Sequence, residues 1–284
     1  MNAIDRLLEG SIDLHMHVGP DLPHEPRLQR RVDALEAATL ARAAGQRAIV
    51  FKSHQYLTAP LATIVSKVVP DITLLGAMAL NETVGGLNPR AVALAGELGT
   101  RIVWFPTIDS ANHKRIMKSA EPGITLLDEA GKLKPPIGDI LDLIKKHNMV
   151  LATGHITAAE AFPLVEEARR RGITRIIGTH PHSLYSGFTD EEALRLADLG
   201  ALIEFTLTSY MPPYATETPA PMIEQIKAIG PERAIITTDF GQIANPPPSE
   251  GMRLFIATLL ARGIPEDDVE QMTQTNPARL VGLE

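Results

Sequence analysis

The most informative segment for the architecture is Ser11-Ile12-Asp13-Leu14-His15-Met16-His17, near the start of the chain. It is short and mostly apolar, and its polar side chains stand at alternate positions. Because successive side chains of a β-strand point to opposite faces, Asp13, His15 and His17 share one face. Each would need a partner inside a barrel, at ~1–3 kcal/mol per unsatisfied group. A metal ion would satisfy them together, although a lone His-x-His pair also fits an ordinary half-buried strand.

Short apolar segments alternate with amphipathic stretches along the whole chain. The predicted strands are Ser11–His17, Ala48–His54, Ile72–Leu80, Arg101–Thr107, Met149–His155, Arg175–His180, Ala201–Leu207 and Ala234–Asp239. The predicted helices are Leu28–Ala44, Ala59–Val69, Pro89–Leu98, Ile137–Lys146, Ala158–Arg170, Glu191–Leu199, Pro219–Ile229, Pro247–Arg262 and Glu266–Val281. This alternation predicts parallel strands with crossover connections. The strand count, with no Gly-x-Gly-x-x-Gly or Walker motif after the first strand, favours an α/β (β/α)8 TIM barrel over an open sheet.

The length of 284 residues fits one such barrel better than two large domains, so we predict a single domain over residues 1–284. Residues 108–136 separate the fourth strand from its helix, where roughly 2–6 residues are usual. This insertion should hang over the C-terminal face, where barrel enzymes place their active sites. Within it, Ile124–Asp128 and Lys132–Lys134 predict a small hairpin. A lid and a subunit contact are both compatible with it.

Composition excludes several classes of function. The net charge of −7 argues against nucleic-acid binding, which needs clustered basic residues. The chain has no cysteine, so any metal must be held by His, Asp, Glu or a modified residue. No apolar run approaches the ~20 residues that cross a bilayer, and the charged first residues do not resemble a signal peptide. We therefore expect a cytoplasmic protein that acts on a small molecule, without nucleic-acid or membrane partners.

The positions of the histidines predict a site. Six of the nine lie at or just beyond the predicted C-terminal strand ends: His15, His17, His54, His155, His180 and His182. The other three are expected on the surface or in loops: His24, His113 and His147. Histidine is the commonest metal ligand and acid–base group near neutral pH. Asp239 ends the eighth strand, which barrel closure brings beside the first. These positions predict a metal site at the C-terminal rim.

Lys52 is an unusual residue at the end of the second predicted strand, because a lysine inside a barrel is costly unless it is paired. Binding of a substrate carboxylate or phosphate is the first interpretation. An ion pair with Glu204, a carboxylated metal ligand and a Schiff-base lysine are the open alternatives. Strand parity places His54 on the same face, so the two could form one anion pocket. Further candidates for substrate contact are Asn81, Thr107, His182 and Tyr185.

The combined motifs resemble the amidohydrolase superfamily. They are Asp13-Leu14-His15-Met16-His17, Gly154-His155, Thr179-His180, Thr238-Asp239 and the ending Asn276-Pro277-Ala278-Arg279-Leu280. The resemblance implies a metal-dependent barrel enzyme whose metal ligands are His15, His17, His155 and Asp239. It implies that His180 is either a ligand of a second metal or a catalytic group. Two-metal members usually carry a bridging carboxylated lysine or a glutamate from the third or fourth strand. Neither strand ends in a lysine here, and Glu82 lies just beyond the end of the third strand. The pattern therefore fits one-metal members better, which include deaminases, lactone hydrolases and non-oxidative decarboxylases.

The activity expected from these residues is hydrolysis of a small, anionic amide or lactone by metal-activated water. Asp239 would take the proton, His180 would orient the nucleophile or stabilise the oxyanion, and Asp13 would support a metal ligand. Lys52 and His54 would hold the substrate. Zn²⁺ is the expected metal, and Mn²⁺ and Fe²⁺ accept the same ligands. Non-oxidative decarboxylation, a Lys52 aldolase and a non-catalytic ligand-binding barrel are the alternatives. A homo-oligomer is expected because symmetric oligomers are frequent among soluble enzymes.

Overall fold

The computed structural model describes residues 2–22, 29–212, 215 and 219–284. Its strands are β1 (Ile12–His17), β2 (Ala48–Lys52), β3 (Thr73–Ala79), β4 (Thr100–Trp104), β5 (Val150–Ala152), β6 (Ile176–Gly178), β7 (Leu202–Thr206) and β8 (Ala234–Thr237). They form one eight-stranded sheet in the order β1 to β8. The fold is a (β/α)8 barrel, which confirms the prediction from the alternation of elements.

The helices follow the predicted succession with two additions. They are α1 (Ala3–Leu8), α2 (Ala34–Ala43), α3 (Ala59–Val65), α4 (Pro89–Glu97), α5 (Ala111–Ile116), α6 (Pro136–Lys146), α7 (Ala158–Arg170), α8 (Asp190–Asp198), α9 (Pro219–Ile229), α10 (Pro248–Ala261), α11 (Glu266–Glu270) and α12 (Asn276–Val281). The unpredicted ones are the short helices α1 and α5. The last predicted helix is divided by a π-helical turn at Gln271–Thr275.

The predicted start of the second helix is wrong. Leu28 lies outside the described residues, and α2 begins only at Ala34. Asp33 and Glu36 form a capping box there, in which the Glu36 N–H donates to Asp33 Oδ1 at 2.8 Å and the Asp33 N–H donates to Glu36 Oε2 at 2.9 Å. Two orphan N–H groups are satisfied in this way, so the helix begins at this cap. Just before it, Arg30 makes an antiparallel bridge with Gln242.

The insertion after β4 contains both a helix and the expected reversal. α5 occupies Ala111–Ile116, with Ser110 as its cap. The hairpin is reduced to one antiparallel bridge between Leu127 and Leu133, closed by a hydrogen bond from the Asp128 N–H to the Lys132 carbonyl at 2.8 Å.

The chain divides into two compact units. The first contains Met1–Ser53, Thr58–Gly76 and Phe205–Glu284, and the second contains His54–Leu57 and Ala77–Glu204. Strands β8, β1 and β2 lie in the first unit, β4 to β6 lie in the second, and β3 and β7 contribute residues to both. A single domain over residues 1–284 stays a prediction.

Closure between the last and first strands is visible within the first unit. Met16 bridges Phe240 in parallel, the His17 N–H donates to the Phe240 carbonyl at 2.7 Å, and the Asp239 N–H donates to the His15 carbonyl at 2.7 Å. On its other edge β1 pairs with β2, where His17 is in register with Lys52. The ends of three strands therefore bring their polar residues together.

The core of the first unit holds β1 in place, although its register with β2 shifts between Asp13 and Met16. All six residues of β1 are buried, and its Met16 belongs to an apolar cluster with residues of α2 and α3. The buried face of α2 consists of alanines, which let the helix approach the strands closely. In the part of the chain that the structure describes, no helix combines the length and the apolar character needed to cross a membrane.

Candidate metal centre

Three metal-ligating side chains of the first unit converge at the ends of β1 and β8. Asp239 Oδ1 lies 3.0 Å from His15 Nε2 and 3.1 Å from His17 Nε2. The two histidines are buried and Asp239 is partly buried. Two imidazole nitrogens and one carboxylate oxygen within this range form a donor set that Zn²⁺, Mn²⁺ and Fe²⁺ accept. The sequence predicted this convergence from strand ends alone.

The electrostatics of this trio suit a bound cation. Burial lowers the pKa of His17 well below its ordinary value of 6.5, and the charge of Arg30 acts in the same direction. Burial alone would raise the pKa of Asp239, but the charge and hydrogen bond of His15, with those of His17, outweigh it and hold this pKa well below 3.8. His17 and Asp239 thus take the neutral and ionised forms that bind metal, and a bound cation would take the place of the positive charge of His15 beside the carboxylate.

Lys52 contacts the same ring nitrogen of His15 that Asp239 contacts. Its Nζ lies 2.7 Å from His15 Nε2, the same atom that faces Asp239 Oδ1. A ring nitrogen carries either a proton or a lone pair, so it cannot donate to the carboxylate and also accept from an ammonium group. A metal ion bound by both His15 Nε2 and Asp239 Oδ1 would account for their approach, and Lys52 would then turn to another acceptor. The residues therefore fit a divalent metal.

Asp13 anchors the neighbouring strand and does not reach a histidine ring. Its carboxylate accepts from Thr238 Oγ1 at 2.5 Å and from the backbone N–H groups of Thr238 and His15 at 3.2 and 3.1 Å. Burial raises the pKa of Asp13 to about 7 against these hydrogen bonds. The contacts tie the backbone before Asp239 to the backbone of His15. Asp13 thus supports two residues of the trio through their strands.

The backbone at Asp239 is itself unusual. Its φ of 51° lies in the left-handed region, which Asp tolerates better than most residues. Thr208 Oγ1 donates to the Asp239 carbonyl at 2.7 Å and holds this conformation. His180, in the second unit, also has a positive φ, of 24°. Strain of this kind collects at functional sites, at a cost of order 1–3 kcal/mol per residue.

In the second unit, His155 and His180 follow β5 and β6 and lie close together. Their ring centroids are 5.0 Å apart. Ser183 Oγ lies 2.7 Å from His180 Nδ1. The backbone N–H of His180 donates to Glu204 Oε2 at 3.2 Å. Gly154 makes this arrangement possible, because its φ of 72° is left-handed and a Cβ there would lie 2.2 Å from the Phe105 carbonyl oxygen.

The predicted substrate-contacting residues of the second unit form a polar network. Thr107 Oγ1 lies 2.8 Å from His54 Nδ1 and accepts from Asn81 Nδ2 at 2.7 Å. Asn81 Oδ1 accepts from the Thr107 N–H at 2.9 Å. β2 ends at Lys52, so the strand parity that placed His54 beside Lys52 does not extend to His54. Its role as half of an anion pocket stays a prediction.

The loop after β6 carries two further residues predicted to contact substrate, His182 and Tyr185, and their surroundings differ. The His182 ring is largely buried, 3.4 Å from the exposed Asp190, and burial lowers its pKa to about 4. The Tyr185 ring lies nearly parallel to that of His155, with centroids 5.6 Å apart. Tyr185 therefore contacts a predicted ligand, whereas His182 contacts α8.

One histidine that was expected on the surface or in a loop lies at this cluster. His113, on α5, has its Nδ1 2.9 Å from His155 Nδ1, and its ring lies nearly parallel to that of Tyr185, with centroids 4.8 Å apart. No local pattern signals this contact, because His155 lies 42 positions along the chain. His147 lies in the turn after α6, as expected, and is half-buried against Gly96. His24 lies outside the described residues.

Comparisons with solved structures place the fold among enzymes of the amidohydrolase type. The chain matches the probable dipeptidase PvdM from Pseudomonas aeruginosa at 13% identity and a TM-score of 0.70, over 98% of this chain and 96% of that one. An amidohydrolase from the same organism matches at 14% identity and 0.62, over 98% of each chain. A 2,6-dihydroxybenzoate decarboxylase matches at 14% identity and 0.62, over 96% of this chain and 99% of that one. At these identities the likeness establishes the shared fold.

The chain therefore shares its (β/α)8 barrel fold with these enzymes. Residues 10–204 match a family model described as a family of unknown function, DUF6282, and the chain belongs to this family. A search of curated proteins found no match.

Proposed function

We propose that this protein is a metal-dependent hydrolase whose metal is held by His15, His17 and Asp239. The observation that carries the proposal is the position of His15 Nε2, 3.0 Å from a carboxylate oxygen and 2.7 Å from Lys52 Nζ. A divalent cation would bind both the His15 nitrogen and the Asp239 oxygen, and Lys52 would then turn to another acceptor. His155 is proposed as a further ligand on the strength of its position after β5. The folds of the dipeptidase and the amidohydrolase add support.

The residues divide the chemical work. A metal held by these residues would lower the pKa of a bound water to about 7 and so make water a nucleophile at neutral pH. Asp239, whose carboxylate is ionised, accepts the proton of the attacking water and passes it to the leaving group. His180 steadies the developing negative charge on the substrate, and Ser183 orients its ring through Nδ1. Glu204, which accepts from the His180 N–H, helps to hold that backbone.

Lys52 suggests the class of substrate. Its ammonium group is buried beside a proposed metal ligand, a position from which it could bind a substrate carboxylate. We therefore propose a small amide or lactone that carries a carboxylate. Zn²⁺ is the metal proposed first, because the trio offers neutral nitrogen and carboxylate oxygen. A homo-oligomer in the cytoplasm, without nucleic-acid or membrane partners, stays a prediction.

Non-oxidative decarboxylation of a small carboxylic acid is the second candidate. It is favoured by the fold shared with 2,6-dihydroxybenzoate decarboxylase and by a lysine within 2.7 Å of a proposed ligand. In this reaction Lys52 and the metal would hold the carboxylate, and His180 would protonate the ring carbon as carbon dioxide leaves. The two candidates share one site and differ in product.

Elemental analysis of the purified protein tests the metal centre. We expect one equivalent of transition metal per chain in the wild type, and its loss in the double variant His15→Ala/His17→Ala. His147→Ala, which removes a histidine elsewhere, should keep the metal. Two equivalents would indicate a two-metal centre. No metal after reconstitution with Zn²⁺, Mn²⁺ and Fe²⁺, with the fold intact, would overturn the proposal and favour a non-catalytic barrel or a Lys52 Schiff base.

The products then distinguish hydrolysis from decarboxylation. Lactones, amides and ring carboxylates are offered to the metal-loaded protein, and release of acid or amine is compared with release of carbon dioxide. We expect His180→Ala to reduce turnover while most of the metal is retained. Loss of the metal in this variant would make His180 a ligand instead.

A further inference from the structure

We propose that His113, from the insertion helix α5, is a positioning residue that holds His155 in the tautomer with its proton on Nδ1. This inference rests on the proposed function for the role of His155 and adds a residue to its machinery. His113 has no place in the strand-end pattern. Its assignment comes from three contacts between α5 and the loop after β5, all within the second unit.

The backbone of His155 is held by the cap of α5. Ser110 Oγ donates to the His155 carbonyl at 2.9 Å, and Asn112 Nδ2 donates to the same oxygen at 3.2 Å. The Ser110 hydroxyl also accepts from the His113 N–H at 3.0 Å. One hydroxyl therefore connects the backbone of His155 to the start of the helix that carries His113.

The Nδ1 atom of the His155 ring contacts His113. His113 Nδ1 and His155 Nδ1 are 2.9 Å apart, with the rings 25° from parallel. Only one of these nitrogens can carry the bridging proton. If His155 donates it, His155 Nε2 keeps a lone pair and is able to bind a metal. If His113 donates it, His155 Nε2 carries the proton and the imidazole is not a ligand.

Tyr185 holds the ring of His113. The rings of Tyr185 and His113 are 4.8 Å apart and 25° from parallel, and the Tyr185 carbonyl accepts from Asn112 Nδ2 at 2.9 Å. The His113 ring, which is the acceptor in this proposal, is thus packed against the loop after β6. A fixed acceptor at Nδ1 selects one tautomer and one ring orientation.

The rest of the insertion is tied down as well, as such a role requires. Lys114 Nζ lies 3.1 Å from Asp109 Oδ1, and Asp109 Oδ2 accepts from the Glu82 N–H at 3.0 Å. Further along, the Leu126 N–H donates to Glu160 Oε1 on α7 at 2.9 Å. Residues 109–126 are thus bound at both ends to other parts of the second unit. This anchoring fits a structural support better than a lid.

Two variants separate the acceptor role from other roles of the side chain. His113→Asn retains an oxygen near the place of Nδ1, which can accept from His155. His113→Leu has a similar size and no polar atom. The tautomer of His155 is measured by long-range ¹H–¹⁵N NMR of the metal-free protein labelled with ¹⁵N-histidine, with His155→Gln for assignment. We expect the proton on Nδ1 in the wild type and in His113→Asn, and a mixture of tautomers in His113→Leu.

Zn²⁺ affinity, measured by equilibrium dialysis, gives the second readout. Loss of an outer hydrogen-bond partner typically weakens metal binding by about 10–100-fold, and we expect this for His113→Leu. His113→Asn should stay within a few-fold of the wild type, as should the remote control His147→Leu. Equal large losses in both His113 variants would make His113 a ligand and overturn the positioning role.

The two proposals fail differently. If the wild type binds no metal, the proposed function fails, and the tautomer in the metal-free wild type still decides the role of His113. If the wild type binds Zn²⁺ but His155 carries its proton on Nε2, the inference about His113 is overturned alone. The tautomer of the wild type does not depend on the His113 variants, so a misfolded His113→Leu leaves the test in place.

Discussion

A single carboxylate, Asp239, is the residue on which the proposed centre depends most. Its oxygen lies within 3.1 Å of two imidazole nitrogens, and its backbone adopts a left-handed φ of 51°. Asn is tolerated in that conformation as well as Asp is. A substitution of Asp by Asn therefore changes the charge while the backbone can stay as it is.

We expect Asp239→Asn to weaken Zn²⁺ binding by more than about 100-fold, beyond the effect of losing an outer partner. The melting temperature of the metal-free variant should stay close to that of the metal-free wild type, because size and backbone preference are preserved. Equilibrium dialysis and thermal unfolding measure the two quantities. Unchanged Zn²⁺ affinity would remove Asp239 from the ligand set.

His182 leads to a prediction about pH. Burial lowers its pKa from 6.5 to about 4, against the opposing charge of Asp190. At pH 7 the ring is neutral in the folded and the unfolded protein. As the pH falls from 6.5 towards 4, the unfolded chain takes up a proton that the folded protein does not, so stability falls. Linkage over these values gives a loss of about 2 kcal/mol between pH 7 and pH 5.

His182→Gln should lack this part of the pH dependence. Urea unfolding of both proteins at pH 7 and pH 5 measures it, and the wild type should lose about 2 kcal/mol more than the variant. Between pH 7 and pH 8 the two proteins should change alike, which serves as the control. An equal loss at pH 5 would mean that His182 is accessible to protons in the folded protein.

At the scale of elements, the turns after the strands position the candidate groups. β5 ends at Ala152 and β6 at Gly178, so His155 and His180 lie in the turns that follow them. Gly154 allows one of these turns, because its backbone is left-handed and packs against the Phe105 carbonyl. The turn, more than the strand, determines where the His155 ring lies.

Gly154→Ala should destabilise the protein and displace His155. A Cβ would lie 2.2 Å from the Phe105 oxygen, and the left-handed backbone adds its own penalty, so we expect at least about 2 kcal/mol from urea unfolding. Gly99→Ala is the matched control, since Gly99 has a φ of 83° with no atom within 4 Å of the added Cβ. It should cost only about 1 kcal/mol. Equal costs would show that the turn relaxes around the new methyl group.

At the scale of the whole molecule, a bound metal should stabilise the fold. The trio joins His15 and His17 of β1 to Asp239, two residues beyond the end of β8. A ligand that binds only the folded chain adds RT ln(1 + [L]/Kd) to its stability. At a free Zn²⁺ concentration of 100 times Kd this is about 2.7 kcal/mol. For a chain of 284 residues we expect the melting temperature to rise by about 4–5 °C.

Thermal unfolding with Zn²⁺ and with a chelator measures this rise. The double variant His15→Ala/His17→Ala should melt at the same temperature under both conditions, which separates specific binding from a general salt effect. A Zn²⁺-dependent shift of the same size in the double variant would locate the metal elsewhere in the molecule.

Much of the fold was predictable because it is encoded locally. The alternation of apolar strands with amphipathic helices produced all eight strands within a few residues. The six-residue helices α1 and α5 escaped prediction because they are too short to show a periodic pattern. α1 buries Leu7 and Leu8, so packing stabilises it more than its own propensity.

The candidate site was predictable in its residue types and less so in its contacts. The ends of parallel strands meet on one rim, which was enough to select His15, His17 and Asp239. It was not enough to pair Lys52 with His15, because the direction of a long side chain depends on its neighbours. The role of His113 was out of reach, since α5 lies in an insertion with no strand register to read.

Sequence alone thus determined the barrel and the set of polar groups at its C-terminal rim, because strand periodicity and chain order are local properties. Tertiary structure decided which atoms meet. His17 contacts a carboxylate 222 positions away, and His155 contacts a histidine from an inserted helix. Such contacts depend on the turns beyond the strands and on the packing around them, and a linear pattern of residue types does not contain that information.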